Sequence, residues 1–326
     1  MKVICVGKKI LVTGSAGFIG FHLSKKLLEE GWSVVGLDNY TPYYDVSIKK
    51  ARAKILAGFD NYEEKVMDIT DKEKLAQMFK EEKFDKVVNL AAQAGVRYSL
   101  THPFVYETAN NAGFLSVLEA CRNFGVKDIV YASSSSVYGK NTKIPFSEED
   151  KTDSPISLYA ATKKYNELAA HTYSELYDIN TTGLRFFTVY GPYGRPDMAL
   201  FLFTKAILEN KPIDLFNNGN MERDFTYVSD IVSGIMASIE KPFKHEVFNL
   251  GNGNPIQLTK FVELISKNLN KKAKTNMLPM QQGDVAKTFA DVSKAERMIG
   301  YKPKVNVEEG VKKFVEWYKE YYNIKA

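Results

Sequence analysis

Thr13 to Gly20 reads TGSAGFIG, with Gly14, Gly17 and Gly20 set between an apolar β-branched run (Ile10, Leu11, Val12) and an amphipathic stretch carrying Leu23, Leu27 and Leu28. A second apolar run, Val34, Val35 and Leu37, ends at Asp38, 24 residues after Gly14. Strand, glycine turn, helix, strand and terminal acid in that order describe one half of a doubly wound nucleotide-binding sheet. Gly14 permits the tight turn, Gly17 lets the backbone approach a pyrophosphate, and Gly20 allows close helix packing, with the positive helix N-terminus facing the phosphates. A carboxylate at Asp38 accepts hydrogen bonds from the adenosine ribose and repels a 2′-phosphate, so NAD is expected rather than NADP. A glycine-rich turn without ligand, with Asp38 as a helix cap, is disfavoured because four independent signals agree. Asp68, with Ile69 after another short run, stands where it can reach the adenine, a surface role for Asp68 being the alternative.

The alternation continues. Apolar runs at Lys86 to Ala91, Asp128 to Ser133 and Thr181 to Phe187 are separated by helical stretches at Gly113 to Asn123 and Leu158 to Tyr177. This predicts an α/β fold with a parallel sheet between two helical layers. After about residue 190, Gly and Pro punctuation, shorter runs and helices near Leu200 to Glu209 and Val307 to Tyr322 suggest a smaller α/β domain. The expected division is a Rossmann domain over 1–188 and a substrate domain over 189–326, with interleaved segments. A length of 326 residues suits two domains at ~150 each.

With 44% hydrophobic and 25% charged residues, the chain is an ordinary globular protein. Its net charge of +5 is spread along the chain without a polybasic block, so neither nucleic acid nor a membrane surface is an expected partner. The two cysteines, Cys5 and Cys121, cannot build a disulfide framework; both read as buried thiols in a reducing, cytoplasmic setting. Lys2, Lys8 and Lys9 precede an uncharged stretch that imitates a signal peptide, but it contains three glycines and His22, is too short to span a bilayer and is better read as the nucleotide-binding turn with the start of its helix. His22, His102, His171 and His245 lie far apart in sequence and no metal is expected.

Tyr159 and Lys163 share one face of the Leu158 to Tyr177 helix at i,i+4 spacing. The spacing alone is weak, since Tyr321 and Lys325 repeat it with no evident chemistry. Ser134, 25 residues before Tyr159 in YASSSSVYG, gives the pair its context, for it ends a sheet strand where doubly wound folds place ligands. A phenol near pKa ~10 needs about 4 kcal/mol of phenolate stabilisation to act as a base near pH 7. The Lys163 ammonium and a positive nicotinamide ring are the expected sources, with Ser134 holding the substrate oxygen that loses its proton.

These motifs, with NLAAQAGVRYS (Asn89 to Ser99), the NxxG element at Asn110 to Gly113, LRFFTVYGPYGRPDMA (Leu184 to Ala199), RDFTYVSD (Arg223 to Asp230) and QQGDVAKTFAD (Gln281 to Asp291), resemble the extended short-chain dehydrogenase/reductases over nearly the whole chain. Within that superfamily they look most like UDP-glucuronate 4-epimerases. The resemblance assigns Gly14, Gly17, Phe18, Ile19, Gly20, Asp38, Asp68, Ile69, Ala91 and Asn110 to an NAD site shared with Tyr159 and Lys163. Ser134, Tyr159 and Lys163 match the catalytic set. Ser134, Ser135, Thr188, Arg195, Arg223 and Asp284 match substrate positions, the arginines suiting a diphosphate. A structural ion pair is the alternative for each arginine, and Arg97 is open between cofactor, substrate and neither.

Dehydratase relatives carry an Asp-Glu pair where this chain has Ser135 and Ser136, so elimination lacks its acid. Galactose-type epimerases carry Asn at Thr188 and Arg at Gln281, which leans away from plain UDP-galactose. Asn89 stands where His is usual and has no functional account from sequence. The resemblance implies NAD-dependent inversion at C4 of a UDP-hexuronate through a 4-keto sugar, a homodimer through the helices around Gly113 and Tyr159, and a place in glycan precursor synthesis. Competing expectations are a UDP-glucose or UDP-N-acetylglucosamine 4-epimerase, a UDP-glucuronate decarboxylase and, from another class, a catalytically dead NAD-binding regulator.

Overall fold

The computed structural model describes residues 8–280 and 286–324, so Cys5, Gln281, Asp284 and Lys325 lie outside the described residues. The chain begins β1 (Lys9–Thr13), α1 (Phe18–Glu29), β2 (Ser33–Asp38), α2 (Val46–Leu56), β3 (Tyr62–Val66), α3 (Lys72–Glu82) and β4 (Lys86–Asn89). Two single-turn helices, α4 (Tyr98–Thr101) and α5 (Pro103–Tyr106), and a π-helical turn at Glu107–Ala112 lead into α6 (Gly113–Phe124). Then come β5 (Asp128–Ser134), α7 (Leu158–Tyr177) and β6 (Asn180–Phe186).

The second half contributes β7 (Thr188–Tyr190), α8 (Ala199–Leu208), β8 (Pro212–Leu215), β9 (Glu222–Arg223), β10 (Phe225–Tyr227) and α9 (Val228–Glu240). It ends with β11 (His245–Leu250), β12 (Ile256–Gln257), α10 (Leu258–Leu269), β13 (Lys274–Met277), α11 (Ser293–Ile299) and α12 (Val307–Tyr321).

Seven parallel strands form one sheet in the order β11-β6-β5-β4-β1-β2-β3. Strands covered on both faces read as unbroken apolar runs, and β1 is such a strand, with Ile10, Leu11 and Val12 all 0% exposed. Ile10 and Val12 meet the layer holding Phe21 and Leu27 of α1. Leu11 points the other way, into the layer of Phe79 from α3 and Phe114 and Val117 from α6. Each such side chain contributes about 1.5–3 kcal/mol on burial. At the sheet edge β3 (YEEKV) is mostly exposed and its charges blunt the open edge.

β1 lies between β2 and β4, so the strand order reverses there and a crevice opens at the carboxyl ends of β1 and β4. Asn89 gains its account here. The Thr13 hydroxyl donates to Asn89 Oδ1 at 2.7 Å and accepts from the Ala91 amide at 3.1 Å, pinning the two strands at the crevice floor.

After residue 189 the chain does not stay apart from the sheet: β11 pairs with β6 along its full length. Three two-stranded ladders follow, β7 with β10, β8 with β13 and β9 with β12, and β7, β8, β9 and β10 line the cavity of the crevice. Phe225, Phe261 and Phe314 continue the same apolar cluster that holds α1 to the sheet. His171 and His245, distant in sequence, meet edge-on at 4.9 Å between α7 and β11. Among the described residues no group of three or more His, Cys, Asp or Glu is arranged to hold a metal, and no helix is long and apolar enough to cross a membrane.

Candidate active site

The turn after β1 is built as its glycines require. Gly14 has φ +71°, and a Cβ there would lie 2.9 Å from the Ala91 nitrogen; one on Gly20 would lie 2.1 Å from the Gly14 carbonyl oxygen. Helix α1 starts at Gly17 with no side-chain cap and no acid in its first turn, which leaves its N-terminal amides open to an anion. Asp38 Oδ2 accepts from the Ala16 amide at 3.2 Å and Oδ1 from the Tyr40 amide at 2.8 Å, with Lys49 Nζ 3.5 Å from Oδ1. Asp68 accepts from Asn39 Nδ2 at 2.6 Å, which joins the two acids expected around the adenosine. Gly14, Gly17, Phe18, Ile19, Gly20, Asp38, Asp68, Ile69 and Ala91 all line one cavity. The residues fit a dinucleotide.

Asn110 departs from its expected cofactor contact. It does not line the cavity: its Oδ1 accepts from the Gln93 amide at 2.8 Å, and its Nδ2 donates to the Gln93 carbonyl and to the Thr162 hydroxyl, each at 3.0 Å. The π-helical turn directs it inward, where it braces α7 one residue from Lys163.

Ser157 caps α7 by accepting from the Ala160 amide at 3.2 Å, and the helix carries Tyr159 and Lys163 into the cavity beside Ser134. Lys163 is 3% exposed and donates to the Ala132 carbonyl at 2.8 Å; burial lowers its pKa to about 8. Burial pushes the Tyr159 phenol above its ordinary value, while the Ser134 hydrogen bond and the Arg195 charge pull it back. Arg195 thus joins Lys163 as a second cation in the cavity that holds the phenol.

Arg195 is held by Asp197, Nε to Oδ1 at 3.0 Å and Nη2 to Oδ2 at 2.5 Å, and the Tyr43 hydroxyl donates to the same Oδ2 at 3.0 Å. Its guanidinium also lies over the Tyr43 ring, 5.8 Å from the centroid. Sequence reasoning missed Tyr43 and Asp197; the local signal for them was the aromatic run TPYYD and the acid in GRPDMA.

All four serines after Ala132 line the cavity, but their hydroxyls differ: that of Ser133 donates to Glu167 at 2.7 Å, while Ser134 Oγ accepts from the Ser136 amide at 3.2 Å. Thr188 and Arg223 line its far side, and Arg97 faces in with its guanidinium 5.1 Å from the Phe216 ring. Asp284 lies outside the described residues. The cavity is about 1300 Å³, larger than the ~300–1,000 Å³ typical of one small ligand, and so has room for a dinucleotide and a second ligand together.

An open dinucleotide turn facing a Tyr, Lys and Ser set defines the class. The family model described as GDP-mannose 4,6 dehydratase matches residues 11–314, and the chain belongs to that family, within the extended short-chain dehydrogenase/reductases. Among curated relatives it is 49% identical to UDP-glucuronate 4-epimerase 4 of Arabidopsis thaliana, over 97% of this chain and 76% of the relative. It is 46% identical to a probable UDP-glucuronate 4-epimerase of Rhizobium meliloti, over 96% and 98%. A crystal structure of UDP-glucuronic acid 4-epimerase from Bacillus cereus, in complex with UDP-glucuronic acid and NAD, superposes with a TM-score of 0.91 at 34% identity, over 96% of this chain and all of that one.

Proposed function

We propose that this chain is an NAD-dependent 4-epimerase that interconverts UDP-glucuronate and UDP-galacturonate. The observation that carries the reading is the convergence of Tyr159, Lys163, Ser134 and the cationic Arg195 on one cavity with an open dinucleotide turn. The names of the relatives above support the substrate. In the division of labour proposed, residues 1–188 hold the dinucleotide and residues 189–326 hold the nucleotide sugar.

Bound at the Gly14 to Gly20 turn, NAD supplies a hydride acceptor that also returns the hydride. The protein manages the proton and the geometry. Deprotonated Tyr159 takes the proton of the sugar 4-hydroxyl, with Ser134 hydrogen-bonded to the same oxygen, as the C4–H bond breaks and C4 becomes a ketone. Lys163 and Arg195 together stabilise the phenolate, and Lys163 also anchors the nicotinamide ribose. Arg223 and Asp284 keep hold of the nucleotide while the 4-keto sugar turns over; reduction from the other face then returns the proton from Tyr159 to the oxygen. There is no net redox change. The keto intermediate of a glucuronate is a β-keto acid, and Ser135 and Thr188 hold its carboxylate away from the path that would release carbon dioxide.

The working form proposed is a cytoplasmic homodimer. Exposed Leu115 on α6 and Leu168 and Leu176 on α7 offer apolar surface for a second copy, and Cys121 is a buried free thiol.

Incubation of purified protein with UDP-glucuronate and no added NAD, followed by proton NMR, tests the reading. UDP-galacturonate supports it, a UDP-pentose replaces it with decarboxylation, and turnover of UDP-glucose alone overturns the substrate.

A further inference from the structure

Arg52 sits in α2 with none of its surface exposed, and among the described residues no carboxylate pairs with it. Its Nη1 donates to the Ala16 carbonyl at 2.8 Å and the Tyr44 hydroxyl at 2.9 Å. Its Nη2 donates to the carbonyls of Tyr193 at 2.6 Å and Gly194 at 3.3 Å, while Nε is buried with no hydrogen-bond partner among the described residues. An interior cation without a counter-ion is unfavourable unless something else supplies negative charge. Ala16 belongs to the turn whose helix N-terminus stands open to an anion, so a pyrophosphate there would supply it.

The other fork of the guanidinium grips the segment that leads to Arg195. His22 Nε2, on α1, meets the carbonyl of Pro192 at 2.9 Å, so three consecutive carbonyls, those of Pro192, Tyr193 and Gly194, are tied to the sheet side of the crevice. Tyr193 is held at φ +55°, a left-handed conformation that a side chain-bearing residue keeps only where its surroundings impose it. The next side chain along that stretch is Arg195, beside Tyr159.

We propose that Arg52 is a positioning residue that couples occupancy of the dinucleotide turn to the placement of Arg195 at the sugar. Dinucleotide binding at the Gly14 to Gly20 turn, whose Ala16 carbonyl Arg52 holds, steadies the guanidinium, and the guanidinium steadies the turn that aims Arg195. The inference rests on the reading of the cavity as a dinucleotide and UDP-sugar site.

The test uses the full-length chain as wild type, Arg52→Gln and Arg52→Lys, each checked for folding by circular dichroism. The NAD retained per chain after dialysis is measured first. The dissociation constant for UDP-glucuronate, with UDP-glucose alongside, is then measured by calorimetry on stripped protein with and without saturating NAD. In the wild type NAD should tighten sugar-nucleotide binding about tenfold, the usual scale of coupling between two sites. Arg52→Gln should lose retained NAD and bring that ratio to about one. Arg52→Lys keeps the charge but cannot span both sets of carbonyls, so it should retain NAD better than Arg52→Gln and still lose most of the ratio. If Arg52→Gln does not fold, the lysine variant decides alone. A wild-type ratio of one, or variants that lower only the melting temperature while NAD retention and the ratio stand, would overturn the proposal. A wild type that binds UDP-glucose and ignores UDP-glucuronate would instead sink the substrate assignment, and the ratio is then read with UDP-glucose.

Discussion

Lys163 donates its ammonium to the Ala132 carbonyl at 2.8 Å, which ties the helix that carries Tyr159 to the strand that ends in Ser134. The bond fixes the distance between base and hydroxyl from outside the reacting atoms. Replacing Tyr159 with Phe removes the proton acceptor and should lower kcat by 10²–10⁴-fold or more, the scale of general base catalysis, with sugar-nucleotide affinity little changed. Lys163→Met should lower kcat and also weaken NAD retention; a variant that keeps both near wild type would remove Lys163 from the site.

Arg195 favours the phenolate, so its loss has a signed consequence for pH. The active form is deprotonated Tyr159, and activity falls as pH drops below the phenol pKa. Burial already raises that pKa, and Arg195→Met removes a charge that lowers it. The acid limb of the kcat profile should therefore move to higher pH, with a greater loss of activity at pH 7 than at pH 9. An equal loss at both would place Arg195 in sugar binding alone.

His22 provides an acid-sensitive joint. Burial lowers its pKa to about 4, with the charges of Arg52 and Lys25 adding to the effect and the bond to Pro192 opposing it. In the unfolded chain the imidazole takes a proton below about pH 6.5. The folded chain takes none until about pH 4, so stability is full above pH 6.5 and falls as pH drops towards 4, by up to roughly 3 kcal/mol. His22→Gln keeps an amide donor for the Pro192 carbonyl and should flatten that stretch of a urea-midpoint profile taken between pH 7 and pH 4.5. An unchanged slope would mean that other groups carry it.

Glu167 and Arg185 form an ion pair under the active site, each side chain 4% exposed, with Nε to Oε1 at 2.8 Å and Nη2 to Oε2 at 2.9 Å. Ser133 and Tyr138 complete the network at 2.7 and 3.0 Å. Glu167→Ala strands the guanidinium and should destabilise the fold by about 3–5 kcal/mol, read as a drop in denaturation midpoint. A loss below about 1 kcal/mol would show that water reaches Arg185 when Glu167 is gone.

The alternation of strand and helix, the glycine turn with Asp38, and the shared face of Tyr159 and Lys163 were legible because each is encoded within a few turns of chain. Expected runs coincide with β1, β2, β5 and α7 to within a residue or so, since strands covered on both faces admit little but apolar side chains. The role of Asn89 and the inward turn of Asn110 left no such trace.

By itself the sequence determined the doubly wound architecture and the chemistry-bearing residues of α7, because hydrophobic period and i,i+4 spacing are local properties. Only the tertiary structure decided that Arg195 shares the cavity of Tyr159, that Asp197 and Tyr43 hold it, and that Arg52 grips a carbonyl 141 residues away. Those contacts depend on which strands are neighbours at the switch point and on how the later ladders fold back over it. A charged side chain looks the same in sequence whether it ends in water or in such a joint; its partners are chosen by the topology.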